Sequence, residues 1–403
     1  MIISNFSQRD DGKQFFIEAD VQFESEPRSQ KIFYAVPSAQ ASWLEIRPDA
    51  FMLGAAMAAM WAGETRLKIE ATVDTQLAAR LTLAMRLIAH WGGGKVHPLK
   101  IEADRFQTPA PSAKAGQTGI FLSGGVDSFA ALLWNTRQYP VGHPKRVTVA
   151  FFVYGFDVGD PNKPGRQDVF ESGREKLTGI CQGLGVELLP IHVNLRSLVL
   201  DWRLYSDWQL ASVLSSIAHA AGHRLQQVII ATDNVVEFVA PLGSHPWLNS
   251  YYSSDALAIS SGDTEQFTRL ERVRILADYP EVLRALRVCW MMKEIPAGAL
   301  NCGHCSKCMR TLLELVACGA FPNNSAFPVA EVTPAMLKST HIYDLDIAQY
   351  YEELPVPLRA VDRPDLAKAV VRKLRAWRYR ETLGLNRLRP IVKRIFDSMR
   401  GIS

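Results

Sequence analysis

The segment 13–23, KQFFIEADVQF, alternates apolar and polar side chains from Ile17 onward, and QKIFYAV at 30–36 is a second strand-like run after a short polar break. A period of two marks a strand with one face in a core. TRLKIEATV at 65–73 and KVHPLKIEA at 95–103 are strand-like as well, whereas DAFMLGAAMAAMWAG at 49–63 and TQLAARLTLAMRLIAHW at 75–91 are helical in length and spacing. Their order predicts a ββαβαβ unit, a small α+β domain over residues 1–104. Residues 105–118 include TPAPSAKAGQT, whose Pro, Ser, Ala and Gly content predicts a linker.

Beyond it the pattern changes. Strand-like RVTVAFFVYG, VELLPIHV and QVIIATD alternate with helical stretches around 170–184 and 208–225. Such alternation predicts an α/β domain, a doubly wound parallel sheet covered on both faces. Ligands in such sheets sit at the carboxyl ends of the strands. Residues 123–128, 154–157 and 232–234 all fall at such ends, so three segments, Thr232 among them, are expected around one crevice.

The first of these segments carries the chemistry. In GIFLSGGVDSFAALLWN, 119–135, a buried strand runs through a tight turn into an amphipathic helix. A strand, a Gly turn and a helix N-terminus together make an anion-binding device, because backbone N–H groups converge there and glycines admit a phosphate without meeting a Cβ. It is not a Walker loop, for no lysine follows the glycines. WGGGKVH at 91–97 lacks the first glycine and the Ser/Thr of that motif, and reads as a turn.

Composition then narrows the class. Of 403 residues, 48% are apolar and 21% charged, which suits an ordinary soluble chain with room for two or three domains. MIISNFSQRDDGK has no apolar signal region, and the apolar run at 50–63 is too short to cross a bilayer, so no membrane association and a cytoplasmic location are expected. The net charge of +4 is unevenly spread: residues 359–400 hold 13 Lys/Arg against 4 Asp/Glu. A basic helical region over 325–403, with Trp377 and Tyr379 among the cations, could meet RNA or an acidic protein, or simply be a solvated face.

Six cysteines are too few and too clustered for a secreted disulfide framework. Cys289, Cys302, Cys305 and Cys308 have the spacing C-x12-C-x2-C-x2-C, four soft donors where tetrahedral Zn2+ needs four, so residues 289–318 are expected to form a zinc module. A closed four-thiolate shell makes the metal structural. Thiolates alone do not choose between zinc and an iron–sulfur cluster. Cys181 and Cys318 read as small buried apolar residues. His219 and His223, four apart on one helix, lack a third ligand and read as packing or capping groups.

SGGVDS at 123–128 resembles the SGGxDS signature of the PP-loop, or N-type, ATP pyrophosphatases, which split ATP into AMP and pyrophosphate while adenylating a substrate oxygen. NCGHCSKCMRT at 301–311, with Cys289 upstream, is similar to the zinc cysteines of the 7-cyano-7-deazaguanine synthases, members of that class which convert a carboxylate to a nitrile with ATP and ammonia. TRLERVRILA at 268–277 resembles the basic-x-acidic stretch of the same family. The resemblance covers about 119–318, with the PP-loop domain at 119–288, and implies a sheet of the HUP type (adenine nucleotide alpha hydrolase-like).

It further implies that Ser123, Gly124, Gly125, Val126, Asp127, Ser128 and Thr232 hold ATP, that Asp127 helps bind Mg2+, and that Asp127, Ser128 and Arg269 serve catalysis, Arg269 as a cation on the departing pyrophosphate. A salt bridge from Arg269 to Glu271 or Asp263 is the alternative. Residues 237–267 depart from the family's substrate segment, although His245, Trp247, Tyr251 and Tyr252 lie where its pocket is built. The expected function is therefore an AMP-forming ligase that activates a small or carrier-bound acid for ammonia or an amine. A sulfur transferase acting on transfer RNA, with Cys181 or Cys318 as its thiol, and a zinc-stabilised adaptor are the rivals.

Overall fold

The computed structural model describes residues 1–108, 116–156, 167–233, 235–238, 241–289, 294–296, 299–321, 326–342 and 345–384. They fall into two compact units, Met1–Gln266 and Phe267–Ser403. The first unit runs β1 (Ile2–Asp10), β2 (Gln14–Gln22), β3 (Ser29–Pro37), α1 (Pro48–Trp61), β4 (Arg66–Asp74), α2 (Thr75–Trp91), β5 (Lys100–Gln107), β6 (Gln117–Phe121), α3 (Val126–Gln138), β7 (Val147–Tyr154), α4 (Gln167–Gly183), β8 (Glu187–Val193), α5 (Leu210–Ala220), β9 (Leu225–Ile229), α6 (Pro246–Asn249) and β10 (Ala258–Ser260). All ten strands form one mixed, mostly parallel sheet in the order β10-β9-β6-β7-β8-β3-β2-β1-β4-β5.

From β8 to β10 every neighbouring pair is parallel. Read in chain order, those five strands lie 3-2-1-4-5, and the order reverses beside β6. Alternation on β7 serves two layers. Val149 and Phe151 join the core beneath α1, α2 and α5, while Phe152 stacks on Phe170 of α4 with centroids 4.6 Å apart. Helices thus cover both faces of this half, as the regular alternation in the sequence predicts.

The N-terminal segment completes the same sheet. β3 pairs antiparallel with β8 through Tyr34 and Val193, and the Asn194 side chain extends the ladder, accepting from Phe33 N at 2.8 Å and donating to Lys31 O at 2.8 Å. Above it α1 is buried continuously from Ala50 to Met60 and packs on α5. Tyr34 Oη donates to Ala50 O and reaches Ser216 Oγ, both at 3.0 Å. Gly54 permits that approach, since a Cβ there would lie 2.9 Å from the tyrosine oxygen. Residues 1–104 and the strands after 116 therefore share one core. Of the predicted linker, 109–115 lie outside the described residues.

One strand departs from the predicted ββαβαβ order. β1 precedes the first predicted strand, and its alternation is broken by a bulge between Ser4 and Ser7, where Asn5 takes φ 54°. A bulge shifts the side-chain period by one and hides the strand from a period-two reading. The face of this half away from α1 is wet and laced with opposite charges, among them Arg9–Glu18, Lys31–Asp20 and Arg66–Glu102.

The second unit is helical: α7 (Arg269–Ala277), α8 (Pro280–Ala285), α9 (Ser306–Ala317), α10 (Leu345–Glu352), α11 (Pro355–Ala360) and α12 (Pro364–Thr382). It takes in α7 and α8, which the predicted boundary at 288 assigns to the loop domain. The predicted basic region at 325–403 is helical through α12; 385–403 lie outside the described residues. Among the described residues no helix is long and apolar enough to cross a membrane.

Candidate functional site

β6 ends at Phe121, and the chain turns through Ser123, Gly124 and Gly125 into α3. Gly124 has φ 80°, a left-handed conformation that glycine adopts at little cost. Gly125 is the N-cap residue of α3 with φ −84° and ψ 169°, and no side chain caps the helix. The helix dipole adds positive potential at this end of α3.

Ser128 sets the shape of the turn. Its buried Oγ donates to Gly125 O at 3.1 Å, accepts from Ser123 N at 3.2 Å and lies 3.2 Å from Ser123 Oγ. Ser123 Oγ in turn accepts from Gly125 N at 3.3 Å. Two serines therefore clasp the two glycines between them. Ser123 is exposed, Asp127 and Gly125 are half-buried, and Val126 is buried, its side chain anchoring the first helical turn in the core.

The loop lies at the carboxyl end of β6, next to β9 where the strand order reverses. That is where a doubly wound sheet opens a crevice. Thr232, just beyond β9, is buried on the same edge, and Tyr154, Gly155 and Phe156 close β7 there. Asp157 and Asn234, expected in the same crevice, lie outside the described residues. WGGGKVH forms the turn after α2, with Gly93 and Gly94 at positive φ.

The other expected residues have the following partners. Arg269 lies in the second unit, where its buried guanidinium pairs with Glu314 of α9 at 3.3 Å. Glu271, a predicted partner, instead closes a capping box with Thr268. His219 Nε2 contacts Tyr252 O at 2.8 Å and His223 Nε2 contacts Ser42 O at 2.9 Å, so the two rings serve packing and hydrogen bonding. His245 caps α6 by accepting from Trp247 N and packs against Trp91 with centroids 5.3 Å apart; Tyr252 is fully buried and Trp247 is exposed. Burial pushes the Cys181 thiol up to about 12 and the Cys318 thiol up to about 11, which makes both poor nucleophiles.

In the second unit the four expected sulfurs do converge. Cys289, Cys302, Cys305 and Cys308 bring their Sγ atoms within 4.8 Å of one another and could hold a metal ion. Cys289–Cys305 are 3.9 Å apart and Cys302–Cys308 3.7 Å. A single tetrahedral ion with metal–sulfur bonds of about 2.3 Å sets its sulfurs about 3.8 Å apart, which fits these pairs. Backbone N–H groups of Cys305 and Cys308 point at Cys302 Sγ (3.3 Å) and Cys305 Sγ (3.5 Å), the orientation that stabilises thiolates. Hydrogen bonding from Cys308 holds the Cys305 thiol down to about 5, and the same contact with burial pushes the Cys308 thiol up. Neighbouring thiols cannot all ionise without a cation between them.

One residue of this site escaped the sequence reading. Asn301 is fully buried and makes four bonds: Oδ1 accepts from Val288 N (2.8 Å) and Cys289 N (3.0 Å), and Nδ2 donates to Leu286 O (2.8 Å) and Ala326 O (2.9 Å). It ties the distant ligand Cys289 to the Cys302 turn. Its position directly before the first C-x2-C cysteine was the only available signal. His304 is exposed and pairs with Glu294 at 2.7 Å, outside the sulfur cluster.

No protein-family model, curated protein or solved structure matches the chain. Its chemistry is read from these geometries.

Proposed function

We propose that the chain is an AMP-forming, ATP-dependent ligase of the PP-loop class on a HUP-type sheet. The observation that carries this is the Ser-clasped Gly124–Gly125 turn, set between β6 and α3 where the strand order reverses. Gly124, Val126 and, on leaving its 3.3 Å bond to Ser123 Oγ, Gly125 would offer backbone N–H groups to the β and γ phosphates, Ser123 a hydroxyl, and Thr232 would line the nucleotide. Asp127 would hold Mg2+, which neutralises charge on pyrophosphate when bound.

A substrate oxygen then attacks the α phosphorus, and the bond to the β-phosphate oxygen breaks with departure of pyrophosphate. Ammonia or an amine next attacks the activated carbon, a proton leaves the nitrogen, and AMP departs. With ammonia as donor, a second adenylation of the primary amide's oxygen, followed by departure of AMP and loss of the remaining nitrogen protons, would give a nitrile. The loop supplies electrostatic stabilisation where charge develops. Arg269, for which the resemblance implies a part in catalysis, has its guanidinium paired with Glu314. The four thiolates would hold one Zn2+ as a structural ion, supported by sulfur spacings that suit a single tetrahedral centre.

The sulfur-transfer alternative is weakened by its lack of a reactive thiol, since Cys181 and Cys318 both have raised pKa values. The proposal is tested by exchange of labelled pyrophosphate into ATP across a panel of carboxylic acids with Mg2+. Acid-dependent exchange that disappears in Asp127→Ala is expected; exchange with no acid dependence, or undiminished in that variant, would reject it.

A further inference from the structure

On the wet sheet face Arg9, Lys31, Arg66, Lys68 and Lys100 each meet a carboxylate. α12 differs from that face. It packs on α10 and α11 through Leu366, Val370, Leu374 and Trp377, and turns outward Lys368, Arg372, Arg375 and Tyr379, spaced i, i+4, i+7 and i+11 on one face. Arg363 and Arg378, to either side, are paired with Asp365 and Glu352. No ion pair is formed by Lys368, Arg372 or Arg375 among the described residues.

Like charges three and four apart on a helix repel. Residues 369–378 include no carboxylate to offset it, which leaves the stripe open to an external anion. Two features decide which anion. Arginine predominates, whose planar fork suits phosphate oxygens, and the stripe ends in Tyr379, an aromatic ring 67% exposed. Exposed positions between Lys368 and Tyr379 include no aliphatic side chain larger than Ala376, so the stripe is cationic and aromatic without an aliphatic patch. Cations in line with an exposed ring suit a phosphate backbone with unstacked bases.

We propose that the outward face of α12 binds single-stranded nucleic acid, its three cations on successive phosphates and Tyr379 against a base. This does not depend on the loop's reading. The test is fluorescence anisotropy of the full chain with a labelled 20-nucleotide single-stranded RNA, and with DNA of the same sequence, between 50 and 200 mM salt. Three phosphate contacts predict a log–log slope of about −2, and Arg372→Ala/Arg375→Ala should flatten it to about −0.7. Tyr379→Ala should weaken binding about tenfold while leaving the slope near −2. A preference between RNA and DNA would name the natural strand. Absent binding, a slope unchanged in the double variant, or equal competition by polyglutamate with Tyr379→Ala silent would overturn the proposal, the last pointing to an acidic protein. All three side chains are exposed, so unchanged circular dichroism is expected to exclude misfolding.

Discussion

Asn301→Ala should cripple the four-cysteine site without touching a sulfur. The substitution strips partners from two N–H and two C=O groups at a fully buried position. At about 1 kcal/mol net for each hydrogen bond, more where the group stays sealed from water, the loss comes to ~3–5 kcal/mol. Two of the four bonds hold Val288 and Cys289, so the upstream ligand would be free to drift from the Cys302–Cys308 pair. Loss of a group that orients metal ligands typically weakens metal binding 10–100-fold. The assay is competition for zinc against chelators of graded affinity, run beside urea unfolding of the same full chain. His304→Ala is the control: among the described residues its exposed ring pairs with Glu294 and Cys302 O, and affinity should change less than about threefold. Wild-type affinity and an unchanged urea midpoint in Asn301→Ala would refute the idea that this amide builds the site.

Two further outcomes follow from the first unit. Ser128→Ala removes the hydroxyl bridging Ser123 N and Gly125 O, and should slow acid-dependent pyrophosphate exchange about 10–100-fold while costing ~1–2 kcal/mol of stability; an unchanged exchange rate would show the clasp is dispensable. Burial holds the imidazoles of His219 and His192 down to about 4 from an ordinary 6.5. Between those values the unfolded chain binds the protons more readily, so stability is full above pH 6.5 and falls toward pH 4, by ~3 kcal/mol for each ring. His219→Gln should remove about half of that slope in urea titrations, and an identical pH profile would count against burial as the cause.

Much of the second half of the first unit was legible because its strands are short apolar runs punctuated by glycine. GIFLSGG announced both β6 and the turn, and the C-x2-C pairs announced the sulfur cluster. What was hidden depends on long-range contact. The pairing of β3 with β8, clasped by Asn194, has no local signature, so the sequence alone divides one core into two domains. β1 was masked by the bulge at Asn5. Arg269 and Asn301 illustrate the same limit at side-chain level: spacing shows that a residue is near a motif, whereas its partner, Glu314 in one case and four backbone groups in the other, is fixed by packing.

The central claim is that the clasped glycine turn releases pyrophosphate from ATP. The direct measurement is separation of nucleotide products from ATP labelled at the α phosphorus, incubated with the full chain, Mg2+, ammonia and the acid found by exchange. AMP should accumulate in step with converted acid. ADP appearing in step with conversion instead would contradict the account, since a loop without a lysine would then be cutting at the terminal phosphate.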